Sequence, residues 1–160
     1  MTIPRSYWIR GVELSMVDSP GSLAADIVAT ELQGDLYGLD AIPFAAGDHV
    51  IDIGAHVGMF TAYLAKRHPE VRITAIEPDP VNFGHLTDNL ARNGVVGVRT
   101  LRRAITADGR RFPLWRPPDN SGGAGGYYRE TAGFSRSVAE SSTLTDLLDE
   151  LGISRCTLLK

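Results

Sequence analysis

Polar and apolar positions alternate loosely over residues 7–17, with Trp8, Val12, Leu14 and Met16 read as one side, and this predicts a strand or hairpin at the start of the chain. Ser19-Pro20-Gly21-Ser22 is a turn. Leu23, Ile27 and Val28 then give an apolar stripe to a helix over 23–32 that Gly34 ends. His49-Val50-Ile51-Asp52-Ile53-Gly54 is a short apolar run, read as a buried strand, and Gly54-Ala55-His56-Val57-Gly58 is a tight loop. Phe60, Tyr63 and Leu64 share a face of a helix from Met59 to Arg67 that Pro69 stops, and 71–76 is a second β-branched run. Asp79-Pro80 supplies an N-cap and a first-turn proline, Phe83, Leu86 and Leu90 are spaced for a helix, and Asn93-Gly94 is a stop. A third strand falls within 95–105, starting near Val98.

Strand, helix, strand, helix, strand in this order defines βαβ units, hence an α/β fold with a parallel sheet and right-handed crossovers. Ligands of such sheets sit at the carboxyl ends of the strands. That rim carries the loop 54–58 and residues 77–79. Beyond it the pattern changes. Asp108-Gly109 predicts a hairpin turn between 101–105 and 111–115. Pro117-Pro118 and the glycine-rich string 120–126 form a flexible loop, and 134–140 returns as a strand. Ser142 or Thr143 caps a last helix carrying Leu144, Leu147, Leu148 and Leu151, which Gly152 ends. Residues 156–159 read as a fourth core strand. The expected division is an N-terminal strand and helix extension over 1–44 and a ligand-binding domain over 45–160.

Composition narrows the classes of function. The chain has 160 residues, is 43% hydrophobic and 22% charged, and carries 16 Lys+Arg against 19 Asp+Glu for a formal net charge of -3. This is a soluble globular composition, and no nucleic-acid partner is expected from it. The N-terminal segment, broken by Arg5, Arg10 and Glu13, is not read as a signal peptide, and no run reaches the ~18 apolar residues of a membrane span. Cys156 is the only cysteine, which excludes a disulfide framework and a cysteine-rich zinc site and points to a reducing, cytoplasmic compartment. No His/Asp/Glu spacing identifies a metal site.

The chemistry concentrates on the rim. Gly54 and Gly58 permit close approach of a ligand to the backbone and expose N–H groups at a helix start. Asp52 lies near the end of the first strand, where a carboxylate is costly to bury without a partner. Glu77 ends the second strand, where an acid can accept both hydroxyl hydrogens of a ribose. A dinucleotide site calls for G-x-G-x-x-G over a pyrophosphate; here a glycine is missing and an acid precedes the loop. An acid there opposes a pyrophosphate and suits an ammonium group, and a ligand with an α-amino group at one end and a ribose at the other is S-adenosyl-L-methionine. The plainer alternative is an α/β domain with a tight turn and two surface acids.

Asp52-x-Gly54-x-x-x-Gly58 followed by Ala75-Ile76-Glu77-Pro78 resembles motifs I and II of class I methyltransferases. Three further features resemble the FkbM-type family within that class. They are Asn89-x-x-x-Asn93-Gly94, Ala104-Ile105 near the third strand end, and Thr143-Leu144-Thr145-Asp146-Leu147 before an apolar strand ending in lysine. The resemblance covers about residues 31–160 and implies a Rossmann-like sheet, present as its cofactor-binding half in strand order 3-2-1-4 with an added hairpin. It implies S-adenosyl-L-methionine as cofactor and methylation of a hydroxyl on a sugar, glycolipid or natural product. Asp52, Gly54 and Gly58 would surround its methionine end, Glu77 would hold its ribose, Ala104 and Ile105 would lie near its adenine, and Ala55, His56 and Pro78 would complete the cofactor-binding set. His56 stands where the family more often has asparagine. The family continues past the lysine matching Lys160 with an acidic Asp-x-Glu-Gly-x-Glu segment, so the chain is expected to be truncated, its catalytic base unnamed, and its last strand an exposed edge open to homo-oligomer pairing.

Each assignment has a structural counterpart. Asp52 can cap loop N–H groups, Glu77 can be an ordinary strand-end acid, and His56 can pack or hydrogen-bond rather than act as a base. Asn120 and Ser121 head either a lid or a mobile loop. Glu31 and Tyr37 can line the methionine pocket. Asp146 fits a first-turn acid. Arg99, Arg102, Arg103, Arg110, Arg111 and Arg116 make either a solvated stretch or a surface that steers an anionic substrate. Two other functions stay open at this point: a catalytically incompetent remnant or interaction module, and an NAD-dependent oxidoreductase.

Overall fold

The computed structural model describes residues 3–126 and 131–160. Strands β1 (Arg5–Ile9) and β2 (Val12–Met16) form an antiparallel hairpin across Arg10-Gly11, both at positive φ (47° and 83°). This two-residue turn suits the twist of the flanking strands. It pairs Ile9 with Val12 and Tyr7 with Leu14 on the inner face, and Trp8 with Glu13 on the outer one. Trp8 is therefore exposed, not grouped with Leu14 and Met16 as the alternation suggested. The turn, and not the apolar count, sets the phase.

Helix α1 (Ala24–Gln33) leads to β3 (His49–Ile53), α2 (Met59–Arg67), β4 (Arg72–Ile76), α3 (Pro80–Arg92) and β5 (Arg99–Leu101). The third strand is shorter than expected, because Arg103 N–H turns back onto the Leu101 carbonyl and Ala104–Ile105 becomes a separate strand, β6. The remaining elements are β7 (Phe112–Arg116), β8 (Ser135–Ala139), β9 (Ser141–Ser142), α4 (Leu144–Leu151) and β10 (Leu158–Leu159).

The central sheet is parallel throughout, in the order β10-β3-β4-β5. This is the expected 3-2-1-4 arrangement read from the other edge. The predicted hairpin across Asp108-Gly109 does not form. Strand β7 pairs antiparallel with β8, and β6 pairs parallel with β9. A turn dipeptide is a local signal, and it does not choose the partner of the outgoing strand. Here Ala104 and Thr106 donate their N–H groups to Glu140 and Ser142 carbonyls, so that side of β6 is taken, and Phe112 and Leu114 pack with Ala104 and Ala139.

Alternation along β3 and β4 divides the core. Val50, Ile73 and Ala75 face α1, α2, α3 and the N-terminal hairpin, and Ile51 and Ile76 face Leu147 of α4. Asn89 of α3, fully buried, ties the hairpin to this layer. Its Oδ1 accepts Val17 N–H at 2.8 Å, and its Nδ2 donates to the Val17 and Val57 carbonyls at 2.8 Å each. Asn89→Ala leaves two carbonyls and an N–H buried without partners. It is expected to cost about 3 kcal/mol, read as a fall in the urea midpoint at unchanged m-value.

Candidate functional site

The loop 54–58 is held against the end of β4. Gly54 N–H and Ala55 N–H both donate to the Ile76 carbonyl, at 2.8 and 2.9 Å. Three loop residues have positive φ: Gly54 (73°), His56 (55°) and Gly58 (85°). The left-handed φ of Gly58 favours glycine, and a Cβ there would also meet the tip of Leu86, Cδ1, at 2.6 Å. Gly58 also caps α2 in the left-handed region.

Glu77 follows β4 and is 5% exposed. One carboxylate oxygen accepts His56 N–H at 2.8 Å, and the other accepts Asp79 N–H at 2.9 Å. Burial pushes its carboxyl up to about 7. The two N–H groups oppose that rise, and the neighbouring Asp79 charge adds to it. Asp79 is the N-cap of α3, accepting from Val81 and Asn82 N–H, and Arg116 makes a buried ion pair with the same oxygen at 3.1 Å. Arg116 also donates to Ser19.

Ser121 lies at the centre of a second buried group. Its hydroxyl is 2.6 Å from His56 Nε2, 2.6 Å from Asp18 Oδ1 and 2.7 Å from Ser22 Oγ, and its carbonyl accepts Asn82 Nδ2 at 2.9 Å. Burial holds the His56 imidazole below its usual pKa against the pull of Asp18. Burial also works against ionisation of Asp18, yet the Ser121 hydroxyl, the His56 ring and Ser19 N–H outweigh it and keep that carboxyl low.

Two cavities open on this rim. One, of about 140 Å³, is lined by Gly54, His56, Glu77, Asn82 and Ser121 among others. The other, of about 480 Å³, is mainly apolar in its walls and includes Pro78, Ala104, Ile105, Phe112 and Leu114. Gly54 and Pro78 line both. Six of the predicted site residues (Gly54, His56, Glu77, Pro78, Ala104 and Ile105) thus meet at one place. Ala55 and Gly58 are buried loop residues that line neither. A larger depression of about 740 Å³ lies between β1 and α1, away from the rim, and none of the predicted residues lines it.

Asp52 lies elsewhere. It is on the helix side of β3, fully buried, with one oxygen accepting Thr61 Oγ1 at 2.6 Å and the other paired with Lys160 Nζ at 2.8 Å. The Lys160 ammonium is 5.1 Å from the Phe60 ring and 5.9 Å from the Tyr37 ring, and Tyr37 donates to Glu31. Glu31 and Tyr37 therefore join the Asp52 cluster. The arginine stretch is largely neutralised by Asp79 (Arg116), Glu150 (Arg103), Glu140 (Arg111) and Asp108 (Arg110). Asp146 closes a capping interaction with Thr143 at the start of α4. Asp18, Ser19, Ser22 and Asn82 were missed, because isolated polar residues carry no periodic signal and their partners are distant in the chain.

Among the described residues no cluster of His, Cys, Asp or Glu is arranged to hold a metal ion, and no helix is long and apolar enough to cross a membrane. A parallel sheet in this order, a glycine loop after its first strand and a buried acid ending the next define a Rossmann-like fold of the class that binds nucleoside cofactors at the carboxyl ends of its strands. Within that class, a sequence profile of the methyltransferase FkbM domain matches residues 52–160, and the chain belongs to that family. It is 26% identical over 111 residues to Methyltransferase 1 of Beauveria bassiana, covering 69% of this chain and 45% of that protein. It is 45% identical over 51 residues to the 31-O-demethyl-FK506 methyltransferase FkbM of Streptomyces tacrolimicus, covering 32% and 20%. The chain spans less than half the length of the curated relatives it matches. Among solved structures it resembles M. jannaschii TYW2 in complex with AdoMet, at TM-score 0.43 and 20% identity over 63% of this chain and 43% of that one.

Lys160→Met leaves the Asp52 carboxylate buried without its cation. It is expected to destabilise the fold by about 3 kcal/mol, checked by denaturant unfolding at pH 7.

Proposed function

We propose that this chain forms the cofactor-binding part of an S-adenosylmethionine-dependent O-methyltransferase whose acceptor is a hydroxyl on a small molecule, sugar or glycolipid. Glu77 carries the reading. Its two oxygens are fixed by backbone N–H groups from two loops, and each keeps a lone pair beside the smaller cavity. A carboxylate so held accepts from a ribose hydroxyl without moving. The apolar cavity next to it, with Phe112, Leu114, Ala104 and Ile105, has the lining that an adenine ring requires. The residues present therefore fit a nucleoside.

The bound cofactor would supply a methyl group activated by a sulfonium leaving group. The chain's own residues align rather than activate it. Glu77 fixes the ribose, and the 54–58 loop sets the height of the ligand above the sheet. The acceptor oxygen must lose a proton as the new bond forms. The His56 Nε2 is engaged with Ser121, and burial lowers the basicity of the ring, so we assign the base to no residue in this chain. The name of the Streptomyces relative, a 31-O-demethyl-FK506 methyltransferase, supports an oxygen acceptor. A cytoplasmic location belongs to the same reading, supported by the single free cysteine. So does further strand pairing at the β10 edge, from a longer chain or a second copy.

Calorimetric titration tests the reading. S-adenosylhomocysteine is expected to bind, and Glu77→Ala to weaken it at least about tenfold through loss of a charged acceptor. Ribose hydroxyls donate best to the ionised carboxylate, so affinity is expected to rise as the pH passes through about 7 and to level off above it. Tight NAD binding with no S-adenosylhomocysteine binding would overturn the proposal.

A further inference from the structure

Asn82, in the first turn of α3, is 2% exposed and its hydrogen bonding is incomplete. Its backbone N–H donates to Asp79 Oδ1 at 2.9 Å and its Nδ2 to the Ser121 carbonyl at 2.9 Å. Its Oδ1 accepts nothing among the described residues, although it is buried. Leaving a buried acceptor unpaired is costly, so this oxygen calls for a donor that the described residues do not supply. Among the described residues three other buried side-chain atoms share this condition, on Arg10, Asp18 and Ser142, but none of those residues lines the cavity that Glu77 lines. Asn82 does.

The polar atoms that remain free here are acceptors. The His56 N–H and Asp79 N–H groups are committed to Glu77, and Asn82 Nδ2 to Ser121. What stays available is a lone pair on each Glu77 oxygen and the Oδ1 of Asn82. Two hydroxyl donors on adjacent carbons would satisfy Asn82 Oδ1 and one of the Glu77 oxygens. We propose that Asn82 is a specificity residue of the cofactor site. In this assignment Glu77 takes one hydroxyl of the ribose and Asn82 Oδ1 takes the other, so that the site selects a ribonucleoside over a deoxyribonucleoside. The inference rests on the S-adenosylmethionine reading above and adds a residue to it. Asn82 touches no reacting atom. It acts on affinity and on the choice of sugar.

The test compares S-adenosylhomocysteine with its 2′-deoxy and 3′-deoxy analogues by calorimetry, on the wild-type chain, Asn82→Ala and Asn82→Asp. Asn82→Ala is expected to bind S-adenosylhomocysteine about tenfold more weakly and to bind one of the two deoxy ligands as the wild type does. Asn82→Asp keeps an acceptor at Oδ1 and is expected to keep the discrimination. An equal loss by Asn82→Ala for all three ligands would mean that Asn82 only supports the fold through Ser121, and would overturn the inference. So would no loss for any of them. Should Asn82→Ala show no cooperative unfolding transition, Asn82→Asp decides alone, and loss of its discrimination overturns the inference. A wild-type chain that binds none of the three ligands is a different result: it removes the S-adenosylmethionine reading itself.

Discussion

One buried carboxylate organises the rim of this sheet. Glu77 is placed by β4 where its oxygens meet the His56 and Asp79 N–H groups, and so it joins the loop after the first core strand to the start of the helix after the second. Neither loop has a regular partner of its own there, and a buried N–H without an acceptor is costly. The same burial that makes the carboxylate useful as a fixed acceptor makes it expensive to ionise. A hydroxyl-bearing ligand would relieve part of that cost. Structure and binding therefore draw on the same two oxygens.

Around Glu77 the rim is closed by side chains from distant parts of the chain. Asp18, Ser19 and Ser22 come from the segment after the hairpin, Asp79 and Asn82 from the start of α3, Arg116 from the end of β7 and Ser121 from the segment after it. Asn89 holds the hairpin exit against α3 in the same layer. Inside a low-dielectric network each of these bonds gains strength, and each missing partner becomes more costly. Residues 17–22 and 116–123 are thus fixed to the rim, and Ser121 and Gly122 form part of the wall of the smaller cavity.

Most core strands and helices were legible because their signals are local, although α1 buries Ala25, Ala29 and Leu32 and leaves the expected Leu23 and Ile27 exposed. Asp79-Pro80 and Thr143 cap helices as their chemistry requires, and the apolar run of β3 is buried as read. The parallel sheet followed from the βαβ sequence, and the strand order from the family resemblance. What failed was non-local. Asp108-Gly109 is turn chemistry, yet it says nothing of β8 as the partner of β7. Arg116 looked like one more charge in an arginine-rich stretch, while its partner Asp79 lies 37 residues earlier. Trp8 was misplaced because one residue of turn phase inverts a strand's two faces. Asn82 had no signal at all, since an unpaired oxygen exists only in three dimensions.

Alternation also separates two acids that look equivalent in the motif. Asp52 and Glu77 both belong to strand ends, but Asp52 shares the helix-side face of β3 with Val50, where Thr61 and Lys160 satisfy it. Glu77 lies past the last ladder residue of β4 and lines a cavity. The rim is in consequence rich in acceptors: Glu77, Asp79, Asp18 and Asn82 line or support it. Its nearest cations, Arg116 and Lys160, are each committed to an aspartate. A pyrophosphate would meet carboxylates and find its potential counter-charges already paired, whereas ribose hydroxyls and an ammonium group bring donors to acceptors. The paired cations, more than the missing glycine of the motif, are the physical reason that a nucleoside bearing an amino acid fits this rim better than a dinucleotide.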